Sequence, residues 1–147
     1  AIQPMWQKQL GVSISFRADT WQSFLAARAK GDFMIARSGW FGDYGDPTTF
    51  LNLLKAGNGN NDSGFSDPVY DAMLEEATAI YDKDERYGLF QEAEAYAMDK
   101  APVLPLFNYR LMHLYRPDDI QGVSLHPRNL QMFHEIRPAV GPEPVAP

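Results

Sequence analysis

Asp43 and Asp46 stand three residues apart in the segment SGWFGDYGDPTTF (Ser38–Phe50), among three glycines, a proline and the rings of Trp40, Phe41 and Tyr44. Two kinds of chemistry suit such a pair. Neighbouring carboxylates can divide acid and base work in a hydrolysis, although loop spacing leaves their separation in space undefined. A carboxylate in a glycine-hinged aromatic loop also suits an ammonium group, because it pairs with the charge while the rings exclude water and add cation–π attraction. Aspartate is equally a common turn-former, so residue types alone leave the role of Asp43 open. Arg28 and Arg37 lie close by in sequence and offer charge to a carboxylate, yet a lone arginine is more often structural.

Other chemistries lack their signatures. Without cysteine there is no disulfide framework, thiolate metal site or Cys nucleophile. His113, His126 and His134 have neither the i, i+4 pairing nor the carboxylate company of a metal centre. Ser38 has glycine on one side only, which is not a nucleophile elbow, and no glycine-rich phosphate loop occurs. Asn58, Asn60 and Asp62 resemble the start of a calcium loop, but the glycine falls one place late and Val69 replaces the closing glutamate. Neither a metal nor a cofactor is therefore expected.

These residues need elements to position them. At 147 residues and 45% hydrophobic, the chain suits one soluble domain with a packed core. No apolar run approaches the roughly 18 residues of a membrane span, and no basic-then-apolar leader opens it. The net charge of -6 speaks against nucleic acid as a partner. Eleven of the 19 acidic residues fall between 61 and 100, the solvated faces of two amphipathic helices.

Residues 1–10 read as the tail of a helix ending at Gly11, and Val12–Phe16 as a strand. Asp19 and Thr20 cap a helix over 19–30 whose Trp21, Phe24, Leu25 and Arg28 share one side, and Gly31 stops it. Phe33–Arg37 reads as a buried strand, Thr48–Ala56 as a short helix and Gly57–Gly64 as a loop. Ser66 or Asp67 before Pro68 starts a helix over 67–81 with Tyr70, Met73, Leu74, Ala77 and Tyr81 as its apolar stripe. A second helix over 84–99 turns Leu89, Phe90, Ala93, Tyr96 and Ala97 inward, completing a helical hairpin. Val103–Phe107 and Leu111–Tyr115 are β-like, and the Pro-rich sequence from Arg137 reads as a tail. Alternating helices and strands indicate an α/β fold with a mixed sheet flanked by helices. The opening Ala1 and the truncated first helix are expected of a processed chain or a fragment.

The stretch RAKGDFMIARSGWFGDYGDPTTFL, with the SDPVYDAMLEEA helix and APVLPLFNY, resembles the C-terminal third of periplasmic oligopeptide-binding proteins, the peptide and nickel class of extracellular solute-binding proteins of ABC importers. Its most specific part is the spacing of Gly39, Trp40, Asp43, Tyr44, Pro47 and Phe50. The resemblance implies a two-lobed protein that closes on an extended peptide. Residues 1–109 would supply most of one lobe, 110–137 a return segment into the other, and 138–147 a tail. It further implies that Asp43 pairs with the peptide α-amino group and that Trp40 lines a side-chain pocket. Backbone groups from Ser38 through Gly39 to Phe41 and Gly42 would bind the peptide as an added strand. Arg28 and Arg37 would receive a carboxylate or a pocket side chain, and Tyr109 would border the cleft. Phe41 stands where a smaller residue is frequent. Implied partners are a peptide, the membrane permease subunits of the importer and the missing N-terminal part. The implied location is periplasmic, or extracellular and membrane-associated in a Gram-positive source. Alternative ligands within the family are a dipeptide, a nickel chelate, an opine or an oligosaccharide; outside it, the alternative is a hydrolase using Asp43 and Asp46.

Overall fold

A computed structural model describes residues 2–126 and 128–139 of the chain. They divide into two compact units. One runs through Ser38 and takes in Asp62–Gly64; the other comprises Gly39–Asn61 and the described residues from Phe65 on.

In the first unit, α1 (Ile2–Leu10) ends at Gly11, whose φ of 68° only glycine adopts without strain. Helix α2 (Trp21–Lys30) has both expected ends. The Thr20 hydroxyl accepts the Ser23 N–H at 3.2 Å, and Gly31, at φ 69°, closes the helix with its N–H on Arg28 O and that of Asp32 on Ala27 O. Asp19 takes no part in the cap and pairs with Arg17 at 2.9 Å. The apolar side of α2 is not buried, since Trp21 is 63% exposed.

The second unit holds the core. Helix α3 (Thr48–Leu51) tightens into a 3₁₀ turn (Asn52–Leu54), and α4 (Pro68–Ala79) and α5 (Lys83–Asp99) form the hairpin. Asp67 accepts the N–H groups of Val69 and Tyr70 at 2.8 and 3.4 Å, and Asp82 those of Asp84 and Glu85 at 3.0 and 2.9 Å. Between the helices, Tyr70, Leu74 and Ala77 meet Phe90, Ala93 and Ala97, with Leu51 and Leu54 closing the cluster. Burying each large side chain here stabilises by about 1.5–3 kcal/mol. Three alanines at the contact let the two backbones approach closely. Tyr81 departs from the expected stripe and is fully exposed, because α4 ends at Ala79 and Ile80 is already extended, so helical spacing no longer carries the ring inward.

The expected strands are corrected. Val12–Phe16, Phe33–Arg37, Val103–Phe107 and Leu111–Tyr115 join no ladder, and Met34, Leu106, Phe107 and Leu114 lie exposed. A strand is held by its neighbour's hydrogen bonds, and none of the described residues pairs with these segments. The ladder that does form is antiparallel, β1 (Ile120–Gln121) with β2 (Arg137–Pro138), so the start of the expected tail is paired. Residues 140–147 of that tail lie outside the described residues. Gly122 follows β1 at φ 83°, so close to the chain that a Cβ there would stand 2.0 Å from Glu135 O. Two helices forming a hairpin and a small sheet are the pieces of an α/β lobe.

Candidate functional site

The loop Gly39–Pro47 is built by the residues that follow it. Thr49, 5% exposed on α3, accepts the Asp43 N–H on its hydroxyl at 2.8 Å. Gly42 lies where a Cβ would crowd Thr49 Cγ2 and the Phe50 ring, both at 3.3 Å, so a side chain there would push the loop off α3. Helix α3 is in turn tied to the core, because the buried Tyr70 hydroxyl donates to Leu51 O at 2.7 Å. The backbone of Asp43 is thus anchored while its side chain is exposed.

Asp46 is placed quite differently. Its Oδ1 accepts the Thr48 N–H at 3.0 Å and the Thr48 hydroxyl at 2.7 Å, and its Oδ2 meets the Arg86 guanidinium of α5 at 3.1 Å. Partial burial works to raise its pKa, but the Thr48 hydrogen bonds and the Arg86 charge outweigh it, holding the carboxyl below the usual carboxylate range. A carboxylate so engaged caps a turn and is a poor proton donor near neutral pH. Of the two aspartates, Asp43 is the one presented to solvent.

An aromatic cluster flanks the same loop. Phe41 stacks on Tyr109, with centroids 6.1 Å apart and planes at 24°, and Tyr109 meets Phe107 edge-on at 5.0 Å. Gly39 admits this packing, since its Cβ position is 3.5 Å from the Tyr109 ring. Trp40, Phe41 and Tyr109 all keep a third or more of their surface exposed. Sequence reasoning did not single out Phe107. The signal for it is the i, i+2 spacing to Tyr109, which puts both rings on one side of an extended backbone.

Arg28, Arg37 and Ser38 belong to the other unit. Arg28 is ion-paired with Asp62, donates to the Ser38 hydroxyl at 3.3 Å and lies 5.6 Å from the Phe24 ring centroid. Asp62 likewise escaped sequence reasoning as a partner, being 34 residues away. Arg37 and Ser38 are exposed. No ladder among the described residues includes Ser38, Gly39, Trp40 or Phe41. Among the nine residues named from sequence, the structure joins Gly39 and Phe41 to Tyr109, and Arg28 to Ser38.

No family model matches the chain. In sequence it is 36% identical over 126 residues to the probable deoxycholate-binding periplasmic protein YgiS of Escherichia coli K12, covering 86% of this chain and 23% of that protein. It is 34% identical over 117 residues to the periplasmic murein peptide-binding protein MppA of the same strain, covering 80% and 22%. In structure it matches Escherichia coli MppA with a TM-score of 0.83 at 30% identity, over 92% of this chain and 26% of that one. The Haemophilus influenzae OppA complex with the peptide RPPGFSPFR matches with a TM-score of 0.75 at 27% identity, over 88% and 27%. The chain therefore spans under a quarter of the length of these curated relatives. Its homologues are binding proteins rather than enzymes, named as periplasmic, and its structural neighbours are two-lobed. No described helix is long and apolar enough to cross a membrane.

Proposed function

We propose, for a chain whose relatives and structural neighbours are periplasmic oligopeptide-binding proteins, that it supplies much of one lobe of a two-lobed solute-binding component of an ABC importer, and that the solute is a peptide. Residues 1–109 supply the lobe portion and 110–137 the return to the opposite lobe. The exposed strand-like segments, Phe33–Arg37 and Val103–Phe107 above all, pair with the remainder of that protein. Its place is the periplasm, and its partners are the peptide and the importer's membrane permease subunits.

The observation that carries this reading is the unequal fate of the two aspartates. Asp46 is consumed by Thr48 and Arg86, whereas Asp43 has an anchored backbone and an exposed carboxylate in a loop that also presents Trp40 and Phe41. Asp43 takes the peptide ammonium, Trp40 and Phe41 with Tyr109 wall the adjoining pocket, and the backbone of Ser38–Gly42 pairs with the peptide as a strand. Arg37 receives negative charge. Arg28 pairs with Asp62 and donates to Ser38 within its own unit. A hydrolytic role for Asp43 and Asp46 finds no support, since a carboxyl held low by the Thr48 hydrogen bonds and Arg86 is the wrong acid. A half-cleft leaves the ligand's other face in water, so tight binding requires the second lobe.

The test is a calorimetric cycle on the protein that carries this chain, as purified from its cells. Asp43→Asn keeps the shape and removes the charge, and it costs about 2–5 kcal/mol of peptide binding. Acetylating the peptide's amino end costs the wild type a similar amount and the variant almost nothing. Losses that add to within about 0.5 kcal/mol would return Asp43 to a turn-forming role. The similarity to a probable deoxycholate-binding protein favours a second reading, an apolar ligand on the Phe41 and Tyr109 rings without an amine. Deoxycholate binding that exceeds peptide binding and ignores Asp43→Asn would establish it.

A further inference from the structure

Of the six asparagines in the chain, only Asn58 precedes a glycine. It sits in the turn after the 3₁₀ segment, its own N–H on Lys55 O at 3.2 Å and its carbonyl accepting the Asn61 N–H at 3.0 Å. Its side-chain Oδ1 accepts the Asn60 N–H at 2.8 Å. That bond folds the amide forward over the Asn58–Gly59 peptide and polarises the Cγ carbonyl toward attack. Gly59 is exposed, has no neighbour within 4 Å of its Cβ position, and its N–H donates to no acceptor among the described residues.

From this geometry we infer that Asn58–Gly59 is a site of spontaneous modification, at which the side-chain amide is converted through a succinimide to isoaspartate and aspartate. Hydroxide removes the Gly59 amide proton, and the nitrogen pair forms a bond to Asn58 Cγ. The bond from Cγ to Nδ2 breaks, and the departing nitrogen takes a proton from water and leaves as ammonia. Water then opens the five-membered imide. Breaking the bond from Gly59 N to the main-chain carbonyl carbon of residue 58 yields isoaspartate, and breaking the bond to Cγ yields aspartate. One water enters, one ammonia departs, and no oxidant or reductant takes part.

Asn61, three residues on, is the internal contrast. Its Nδ2 donates to Leu54 O and Lys55 O at 3.3 Å each and to Phe65 O at 2.7 Å, and Asp62, with a side chain of its own, follows it. An amide held by three carbonyls cannot swing onto its own backbone. The product at position 58 carries a new negative charge in a hollow it lines with Thr48, Asn52, Lys55 and Thr78. There it competes with Glu75, now 2.9 Å from Lys55 Nζ. The isoaspartate form also lengthens the main chain by one methylene, which breaks the Asn58–Asn61 turn.

The experiment is peptide mapping of the folded chain after incubation at mildly alkaline pH without denaturant. Fragmentation that separates isoaspartate from aspartate locates the product, and isoaspartyl methyltransferase counts it independently. Conversion is expected at Asn58, with isoaspartate in excess and a rate that climbs in proportion to hydroxide, while Asn60 and Asn61 in the same tryptic peptide stay intact. Gly59→Ala slows the reaction several-fold with an unchanged circular dichroism spectrum, since the site has open space and no positive φ. Three results would each overturn the inference: equal rates at Asn58 and Asn61, no effect of Gly59→Ala, or a native rate an order of magnitude below that of a synthetic peptide of residues 55–62.

Discussion

Replacing Tyr70 by Phe removes a single oxygen from the centre of the core. The ring is fully buried, its hydroxyl donates to Leu51 O at 2.7 Å, and it meets Phe65 edge-on at 5.6 Å. Phenylalanine fills the same space, so the apolar contribution is retained and the loss falls on the Leu51 carbonyl. A buried acceptor deprived of its donor costs about 1–3 kcal/mol. At about 2–4 °C per kcal/mol for a chain of this size, the midpoint of thermal unfolding falls by roughly 2–12 °C. A second signature lies at high pH. Burial, with the Asp71 and Glu94 carboxylates adding to it, pushes the Tyr70 phenol above its ordinary value of about 10. Because the native state holds this proton more tightly than the unfolded chain, the contribution is complete below about pH 10 and is lost as the pH climbs beyond it. The loss reaches about 1.4 kcal/mol one unit above that point. Phenylalanine has no proton to hold, so the gap between wild type and Tyr70→Phe narrows by that amount. Urea unfolding of both proteins from about pH 8 to 11, followed by circular dichroism, measures both effects. Parallel stability curves across that range, or a neutral-pH loss under about 0.5 kcal/mol, would refute the reasoning.

Two further outcomes follow from the same geometry. Asp46→Asn loses the Arg86 pair and weakens the turn onto Thr48, costing about 1 kcal/mol at neutral pH. As its carboxyl is held low, that stability is present above about pH 4 and fades as the pH falls through the native value; urea midpoints should therefore show a flatter acid limb for Asp46→Asn than for the wild type. Gly122→Ala places a Cβ against Glu135 O at a left-handed φ. A ladder of two residues per strand cannot absorb that strain, so hydrogen exchange should show the Ala139 amide, now 2.8 Å from Asp119 O, losing protection while α4 and α5 keep theirs. An Ala139 amide as protected as before would contradict this.

Both ends of α2 and the start of α4 were legible in the chain because a cap is a local device. Thr20 and Asp67 reach N–H groups two or three residues ahead, and Gly31 turns where it stands. The inward faces of α4 and α5 followed from helical spacing, apart from Tyr81, which lies beyond the last turn. The loop bearing Trp40 and Asp43 was also conspicuous by residue type alone. Strand pairing was beyond reach of the same reading: alternation in Val12–Phe16 or Val103–Phe107 states a preference, but a ladder exists only when a second strand arrives. What separates Asp43 from Asp46 was equally hidden, since both are aspartates in one glycine-rich loop. Arg86, 40 residues on, captures Asp46, while Thr49 anchors the backbone of Asp43 and leaves its carboxylate exposed. Arg28 with Asp62, and Phe41 with Tyr109, are pairings of the same kind. Periodicity and caps act within a few residues of the chain, but an ion pair or a ring contact depends on distance in space, which only the packing of α3 against α4 and α5 and the path of the chain back past Gly39 decide.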